Sequence, residues 1–311
     1  MALPVSAAVV TPYRVSTITV NGSVGADVAV DVVFKGVPIV SGSEGGDGFL
    51  FAEMMISKKI FQRGKNPREA TRRRAKVDAS PAIIANGTNG TDEGAVTGSV
   101  EDVEGAAAGP SRFINQTTVV YRHGNMTPNV KVFANGNLHM TGVKDVASGS
   151  AIVDRIINTL RDIPGAKRFD DSTLKNQDYI VRMINVDFKL DGWGINRDKL
   201  FAALDASTSL KLVYEANTYQ ALKVHYYFNN IKHVQNGCCE CHAATDPTRK
   251  CEGKGKGVVI KDCKRVTLTI FGTGKMMIIG ASSMAQVDHV HAFAQRMLTE
   301  HFGTVRVPLR A

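Results

Sequence analysis

All five cysteines of this chain lie in one short segment, between Cys238 and Cys263. A short-spaced group of thiols at the start of the segment is followed by two more cysteines further on. Soft ligands in such a group suit tetrahedral zinc, and a bound ion would fold a loop that has no core of its own. The sequence therefore predicts zinc coordination by Cys238, Cys241, Cys251 and Cys263, with Cys239 and His242 as alternative ligands.

The spacing of these cysteines departs from two CxxC pairs, so reduced surface thiols and a local disulfide are the alternatives to zinc. An odd number of cysteines confined to one segment does not make a disulfide framework and indicates a reducing compartment. The neighbouring EGKGKG run lacks the strand–GK[ST]–helix context of a phosphate-binding loop. Without paired carboxylates, a nucleophile elbow or an HExxH motif, the chain is not expected to be an enzyme.

A unit of one Phe and two Gly occurs twice, in VKVFANGNLHMTG (Val130–Gly142) and in LTIFGTGKMMIIG (Leu268–Gly280). Phe133 and Phe271 are 138 residues apart, and both glycines of the unit keep that offset. The Asn-Gly pair at the centre of the first copy is a strong hairpin signal, and a Thr-Gly pair stands in the same place in the second. Each copy therefore predicts a hairpin that carries a Phe at its turn.

Matching elements flank each hairpin. A strand rich in β-branched and aromatic residues precedes it, QTTVVYR in the first copy and ALKVHYY in the second. A helical pattern follows, with Pro164-Gly165 ending the first helix and Ser282 or Ser283 as the N-cap of the second. An early strand and a short helix come before each of these units.

Strand, short helix, antiparallel strands and long helix thus occur twice, which predicts an α+β fold with a pseudo-twofold axis. We expect the two half-sheets to join edge to edge into one curved face, with the long helices behind it. The first repeat covers residues 12–165, with a basic and disordered insertion at about 43–112. The second covers residues 177–303, with the Cys-rich insertion at about 229–263.

The chain is basic, because 38 Lys and Arg stand against 29 Asp and Glu, and its net charge of +9 favours a polyanionic partner. Lys58–Lys76 is the most basic stretch; such a run is usually a solvated helix face, and the overall charge favours phosphate contact instead. Ala79–Ser111, rich in Gly, Ala, Asn and Thr, is expected to be a disordered loop. Neither a membrane span nor a signal peptide is predicted.

Taken over their full length, the two repeats resemble the TATA-box-binding protein (TBP) family, whose saddle is built from two such repeats. The resemblance covers about 200 residues and includes VSTITV (Val15–Val20) and MINV (Met183–Val186) as first strands. The opening TPYRVSTITVNGSV and the Cys-rich segment are most similar to divergent TBP-like proteins of large double-stranded DNA viruses. The residues that carry the family pattern are Phe133, Gly136, Thr141, Gly142 and Lys144 in the first repeat, and Phe271, Gly274, Lys275, Gly280 and Ala281 in the second, where Ile279 replaces the family's Thr.

The resemblance implies a saddle whose concave face enters a widened minor groove of duplex DNA. Phe133 and Phe271 would be the inner members of two wedge pairs that unstack base steps. Tyr219 is the implied outer partner in the second repeat, and Phe113, about three residues early, in the first. Core packing is the alternative role of all four rings.

The family's central Asn pair corresponds to Asn185 in the second repeat, but Thr19 stands in its place in the first. Both could also be ordinary polar strand residues. Lys131 and His139 occupy positions where the family has apolar contact residues, so a relaxed or altered TATA preference is expected. The other concave-face residues that the family pattern implies are Thr141, Thr269, Met277 and Ile279.

The resemblance favours a transcription factor that binds and bends A·T-rich promoter DNA, as a monomer or a saddle-face dimer. Its helices would be presented to transcription-factor-IIB-like and RNA polymerase partners. One alternative is an architectural or virion protein that binds DNA without sequence specificity, and another is a pure protein-interaction module. We expect the protein in the host nucleus or a cytoplasmic viral factory, or packaged in the virion, and neither secreted nor in a membrane.

Overall fold

The computed structural model describes residues 8–40, 45–57, 59–67, 101–102, 115–169, 173–231, 236–239, 252–257 and 262–309. The chain divides into two compact units. The first unit is Val20–Ile180, and the second is Val181–Ala311 together with Met1–Thr19. No helix among the described residues is long and apolar enough to cross a membrane.

The described residues of the first unit form strands of one sheet and the two helices named below. Its elements are β1 (Arg14–Ser23, which begins in the second unit), α1 (Val30–Gly36), β2 (Gly48–Ile56), β3 (Lys59–Gly64), β4 (Glu101–Asp102), β5 (Gln116–Arg122), β6 (Asn129–Phe133), β7 (Asn137–Val143) and α2 (Val146–Asp162). The strands follow the order β1-β7-β6-β5-β2-β3-β4, with antiparallel pairing from β7 to β4. Helix α1 contacts β2 and β5, and α2 contacts β7.

Among the described residues, the second unit has a main sheet of five strands, against seven in the first, and a separate two-stranded pair. Its elements are β8 (Gln177–Lys189), β9 (Trp193–Ile195), α3 (Arg197–Ser207), β10 (Lys211–Glu215), β11 (Tyr219–Phe228), β12 (Lys264–Phe271), β13 (Lys275–Ala281), α4 (Met284–Val305) and β14 (Arg306–Pro308). The main strands follow the antiparallel order β10-β11-β12-β13-β8, and β9 pairs with β14. Helix α4 contacts β12, β13 and α3.

Along β6, β7 and β13, alternate residues are buried on the side that carries the helices. In the second unit Leu268, Ile270 and Ile278 are 0% exposed, as is Val290 of α4, whereas Phe271 is half-buried. Successive strand residues point to opposite faces of a sheet, so the remaining residues form the other side, which we call the open face. Each fully buried aliphatic side chain contributes roughly 1.5–3 kcal/mol to folding, which fixes which face is open.

The two predicted hairpins form with the same backbone geometry. Gly136 has φ 74° and Gly274 has φ 79°, values in the left-handed region that favours glycine. The N–H of Gly136 donates to the carbonyl of Phe133 at 2.9 Å, and that of Gly274 to the carbonyl of Phe271 at 3.0 Å. The glycines of the repeated unit are therefore turn residues, and the Phe before each turn ends its strand.

The two long helices also begin alike. Asp145 accepts a hydrogen bond from the N–H of Ser148 at 2.8 Å, and Ser283 accepts one from the N–H of Gln286 at 3.4 Å. These bonds satisfy N–H groups that have no partner inside the helix. Ser283 is one of the two residues predicted as the N-cap of the second long helix.

Asp145→Ala and Ser283→Ala are each expected to lower the free energy of unfolding by about 1 kcal/mol near pH 7. Hydrogen bonding from the Ser148 N–H lowers the pKa of Asp145. The Asp145 cap therefore stabilises the fold at pH values above the ordinary pKa of Asp. That stabilisation is lost as the pH falls through the lowered pKa of the folded state, whereas the Ser283 hydroxyl does not titrate. Unfolding midpoints near pH 7 and near pH 3 test this. The Asp145→Ala penalty should shrink in acid while the Ser283→Ala penalty persists, and parallel pH profiles would contradict the assignment.

The structure corrects two expectations for the insertion. Lys59–Gly64, part of the basic run whose usual interpretation is a helix face, is a strand because it pairs with β2, with Phe61 opposite Met54. Within the predicted disordered loop, Glu101–Asp102 pairs with β3. The rest of that loop and residues 68–76 of the basic run lie outside the described residues. The pseudo-twofold axis, the joined half-sheets and the repeat boundaries stay predictions.

Candidate nucleic-acid interface

Tyr219 and Phe271 form an aromatic pair on the open face of the second unit. The pairing of β11 with β12 sets Ala221 opposite Phe271, and Tyr219, two residues earlier, lies on the same face. The two ring centroids are 6.4 Å apart and the planes meet at 62°. Tyr219 is 43% exposed, so its ring is a surface ring and not a core ring.

Lys223 orients the ring of Tyr219. Its ammonium nitrogen lies 4.2 Å from the ring centroid. A cation over an aromatic face is attracted by the ring quadrupole, by about 0.5–1 kcal/mol at an exposed site. Because Lys223 lies four residues after Tyr219 on the same strand, both project from one face. The contact therefore favours this orientation of the Tyr219 ring without fixing it.

The centre of the same face is less accessible than the resemblance implies. Thr269 is opposite Lys223 on β11 and opposite Met277 on β13, and it is only 1% exposed. The two longer side chains flank Thr269 and cover it, and its contact with a ligand stays a prediction. Met277 and Ile279 are half-buried and lie on this face.

Asn185 is held by two hydrogen bonds near the middle of β8. Its side-chain oxygen accepts from the N–H of Gly280 at 3.2 Å, and its carbonyl accepts from the hydroxyl of Ser16 at 2.9 Å. The amide hydrogens of Asn185 are then the groups that can donate to a base acceptor. Thr19, its predicted counterpart, is 8% exposed and so offers less surface.

The open face of the first unit has a more polar centre. Lys131 lies opposite His139, and Asn129 lies opposite Thr141. The Nδ1 atom of His139 is 2.9 Å from the side-chain oxygen of Asn21. Burial, and then the charge of Lys131, lower the pKa of His139, so the ring is neutral at pH 7. Hydrogen-bonding side chains thus replace an apolar surface here.

Phe133 takes the position in the first unit that Phe271 takes in the second. It ends β6 opposite Gln116 of β5 and is half-buried. Tyr219 comes two residues before the partner of Phe271, and the same count back from Gln116 reaches an isoleucine at position 114. Phe113, the predicted outer ring, is one residue earlier. Both positions lie outside the described residues, so that role stays a prediction.

The Cys-rich segment packs against the end of β11. Tyr227 and Cys263 are buried together, and Cys239 packs on them. The sulfur atoms of Cys239 and Cys263 are 3.7 Å apart. Two thiolates at about 2.3 Å from one tetrahedral zinc would be about 3.8 Å apart, so this pair fits one edge of a zinc site.

The thiol that lies against Cys263 is that of Cys239. Cys239 is an alternative ligand in the sequence prediction, which places Cys238 first. Across the described ranges, no group of three or more His, Cys, Asp or Glu is arranged to hold a metal ion. The other predicted ligands lie outside those ranges: Cys241, His242 and Cys251.

No family model matches the chain. A curated protein of Acanthamoeba polyphaga mimivirus, named TATA-box-binding protein-like, is 26% identical to it over 210 residues, or 63% of the chain. Over that range the chain is similar to a TBP-like protein. The resemblance predicted from the two repeats is thereby confirmed, including its placement near proteins of large DNA viruses. The chain spans about half the length of the curated relative, 50%.

One solved structure is also similar to the chain. Methanococcus jannaschii TBP superposes with a TM-score of 0.45 at 13% sequence identity, covering 93% of this chain and 99% of that one. The elements of both units, antiparallel strands with separate helices on one side, are those of the predicted α+β class.

Proposed function

We propose that the chain binds duplex DNA in the minor groove through the open faces of its two units, and bends it. The observation that carries this proposal is the Tyr219–Phe271 pair, two rings presented on the open face and oriented by Lys223. Phe133 stands at the same hairpin position in the first unit. The name of the mimivirus relative supports the same ligand.

Aromatic wedges of this kind act by unstacking base steps. Unstacking costs a few kcal/mol per step, and the bend that results lets the protein contact more of the duplex. The minor-groove edge of A·T pairs carries only acceptors, whereas G·C adds the guanine amino donor. Apolar residues such as Met277 and Ile279 reject that donor, so A·T-rich, easily deformed sequence is the preferred ligand.

The biological role that follows is promoter recognition, without enzymatic activity. The helices behind the sheets, α2 and α4, would contact transcription-factor-IIB-like and RNA polymerase components. A protein with this role works where the viral genome is transcribed, in the host nucleus or a cytoplasmic factory, or is packaged in the virion. The support is the relationship to TBP-like proteins and the position of both helices away from the open faces.

A second candidate function is sequence-neutral DNA binding by an architectural or virion protein. The observation that favours it is the polar centre of the first open face, where Lys131 and His139 lie opposite each other. Such side chains tolerate G·C pairs, because they offer hydrogen-bonding groups to either base pair. Recognition of the bases at the centre of the DNA site is also weakened, because Thr19 is largely buried.

Competition binding separates the two functions. A labelled A·T-rich duplex is bound, and unlabelled A·T-rich and G·C-rich duplexes of equal length displace it at a fixed salt concentration. Promoter recognition predicts that the G·C-rich competitor is weaker by 10³-fold or more, the range of specific over non-specific binding. Equal competition would establish the architectural function instead. No binding of either duplex would contradict both and leave a protein-interaction module.

We also propose that the Cys-rich segment binds zinc, with Cys239 and Cys263 as two of the ligands. Their sulfur separation of 3.7 Å supports this, as does the small cluster they form with Tyr227. A bound ion would supply the folding free energy that a segment of this size cannot obtain from apolar burial. Cys241 and Cys251 are the ligands that would complete the site.

Zinc content measures this directly. The purified protein is expected to hold one zinc per chain, and Cys239→Ser or Cys263→Ser is expected to lose it, because each removes a thiolate from the site. Cys238→Ser is the matched control and should retain the metal. Protein that holds no zinc after exposure to excess ion, or equal loss in all three variants, would contradict the proposal.

A further inference from the structure

Four basic side chains lie together on the open face of the second unit, beyond the aromatic pair. Lys211 of β10 lies opposite His225 of β11, and Arg265 of β12 is the diagonal neighbour of His225. Lys223 is two residues before His225 and therefore on the same face. Lys211 and Arg265 are exposed, and the other two are half-buried. We call these four residues the basic patch.

Acidic residues of the described chain do not neutralise this patch. None of Lys211, Lys223 and Arg265 forms an ion pair within the described residues. Arg265 contributes to lowering the pKa of one acidic residue, Glu252. That pKa is lowered first by the hydrogen bond from Lys254, and Arg265 is the smallest of the causes. The positive charge of the patch is therefore available to a ligand.

The corresponding sheet positions of the first unit, all among the described residues, do not carry these charges. Counting from the partners of Phe133 and Phe271, Thr118 corresponds to Lys223 and Val120 to His225. The residue opposite Val120 is Phe51, which corresponds to Lys211. At the 138-residue offset, Arg265 corresponds to Thr127. The fold alone therefore does not require these charges.

A second observation at the patch points to a missing partner. Among the described residues, the buried Nδ1 atom of His225 has no hydrogen-bond partner. Buried polar atoms without a partner are rare in folded proteins, and each calls for an explanation such as a ligand or ion that would satisfy it. His225 stands between Lys211 on β10 and Thr267 on β12, at the centre of the patch.

We propose that the basic patch binds backbone phosphates of the DNA that leaves the Tyr219–Phe271 wedge. This inference rests on the proposed function and adds a phosphate clamp that the sheet positions of the second unit carry and the corresponding described positions of the first unit do not. Lys211, Lys223 and Arg265 supply positive charge, and His225 supplies a hydrogen-bond donor. A clamp on one side orients the protein on a duplex that two similar units could otherwise bind in either direction.

The charge state of His225 changes when a phosphate arrives. Burial, then Arg265, Lys211 and Lys223, lower the pKa of His225, so the ring is neutral at pH 7 in the free protein. These cations come from β10, β11 and β12, the three strands that surround it. A phosphate placed among them opposes their effect and raises that pKa. Binding then takes up a proton, so DNA affinity rises as pH falls.

The salt dependence of DNA affinity tests the clamp. The double variant Lys211→Gln with Arg265→Gln is compared with Lys199→Gln and Arg296→Gln, which remove the same charges from exposed positions on α3 and α4. Each lost phosphate contact lowers the slope of log affinity against log salt by about 0.9, so the patch variant should lose about 1.8. The control pair should lose none. Equal slopes in both doubles, with wild-type binding and bending intact, would overturn the clamp alone.

A second readout concerns His225. Wild-type affinity is expected to rise as pH falls below 7, by at most tenfold per pH unit, and His225→Gln should flatten that rise. Unchanged pH profiles in the variant would overturn the role of the ring. A third measurement is the binding of inorganic phosphate at matched ionic strength. If phosphate binds the basic patch while the patch variant still binds DNA with wild-type affinity, the patch binds free anions and does not contact DNA. Absence of any DNA binding by the wild type would instead contradict the proposed function.

Discussion

Replacing Phe271 with alanine is expected to abolish the bending of an A·T-rich duplex while leaving the protein folded. Phe271 is half-buried at the end of β12, and its ring packs edge-on against exposed Tyr219. Removing the ring removes the apolar group that holds a base step open. Loss of aromatic stacking on a base costs about 1–3 kcal/mol, so affinity should fall by roughly 5- to 150-fold. Phe133→Ala should have the same effect through the first unit.

Energy transfer between labels at the two duplex ends reports the bend. Phe169→Ala is the matched control, because Phe169 is 58% exposed and lies outside the open faces. Tyr219→Phe keeps the outer ring and should bend DNA as the wild type does, whereas Tyr219→Ala should not. Bending that survives both Phe271→Ala and Phe133→Ala would mean that the rings serve packing alone.

Replacing Gly136 or Gly274 with alanine is expected to be the most destabilising single change in the hairpins. A Cβ at Gly136 would lie 2.1 Å from the carbonyl oxygen of Ala26, and one at Gly274 would lie 2.2 Å from that of Trp193. Left-handed backbone costs a non-glycine residue about 1–2 kcal/mol. The backbone must also shift to relieve the clash, so a total loss of about 3 kcal/mol or more is expected.

Two other glycines separate these effects. Gly165 has φ 75° and Gly192 has φ 71°, and a Cβ at either meets nothing within 4 Å. Their alanine variants should lose only the cost of the backbone conformation, about 1–2 kcal/mol. Denaturant unfolding of all four variants gives the comparison. If Gly136→Ala lowers the free energy of unfolding no more than Gly165→Ala does, the close approach of the hairpin to its neighbouring segment does not stabilise the fold.

The hairpins and long helices could be predicted from the sequence because their signals are local. A glycine after Asn135 or Thr273 demands a turn, and a Ser before an apolar period of 3.6 predicts a helix start. Both features recur at one offset, so each copy supports the other. The strand at Lys59–Gly64 could not be predicted in this way, because it forms by pairing with β2. The basic residues around it give no local signal of that pairing.

The site was predicted unevenly for the same reason. The rings of Phe133, Phe271 and Tyr219 follow from the repeat, but the contact of Lys223 with Tyr219 depends on strand register. Burial of Thr269 likewise arises from its cross-strand neighbours. The basic patch could not be recognised from the sequence, because its members lie on three different strands. The signal that could have found it is the alternation of Lys223 and His225 with buried residues in ALKVHYY.

The central claim is that aromatic side chains enter the base stack, and fluorescence of 2-aminopurine tests it most directly. The base analogue is placed at each successive step of an A·T-rich duplex, and its emission rises when that step is unstacked. We expect emission to rise at two separated steps on binding, with one rise lost in Phe133→Ala and the other in Phe271→Ala. A duplex that is fully bound while emission stays unchanged at every step would contradict the account.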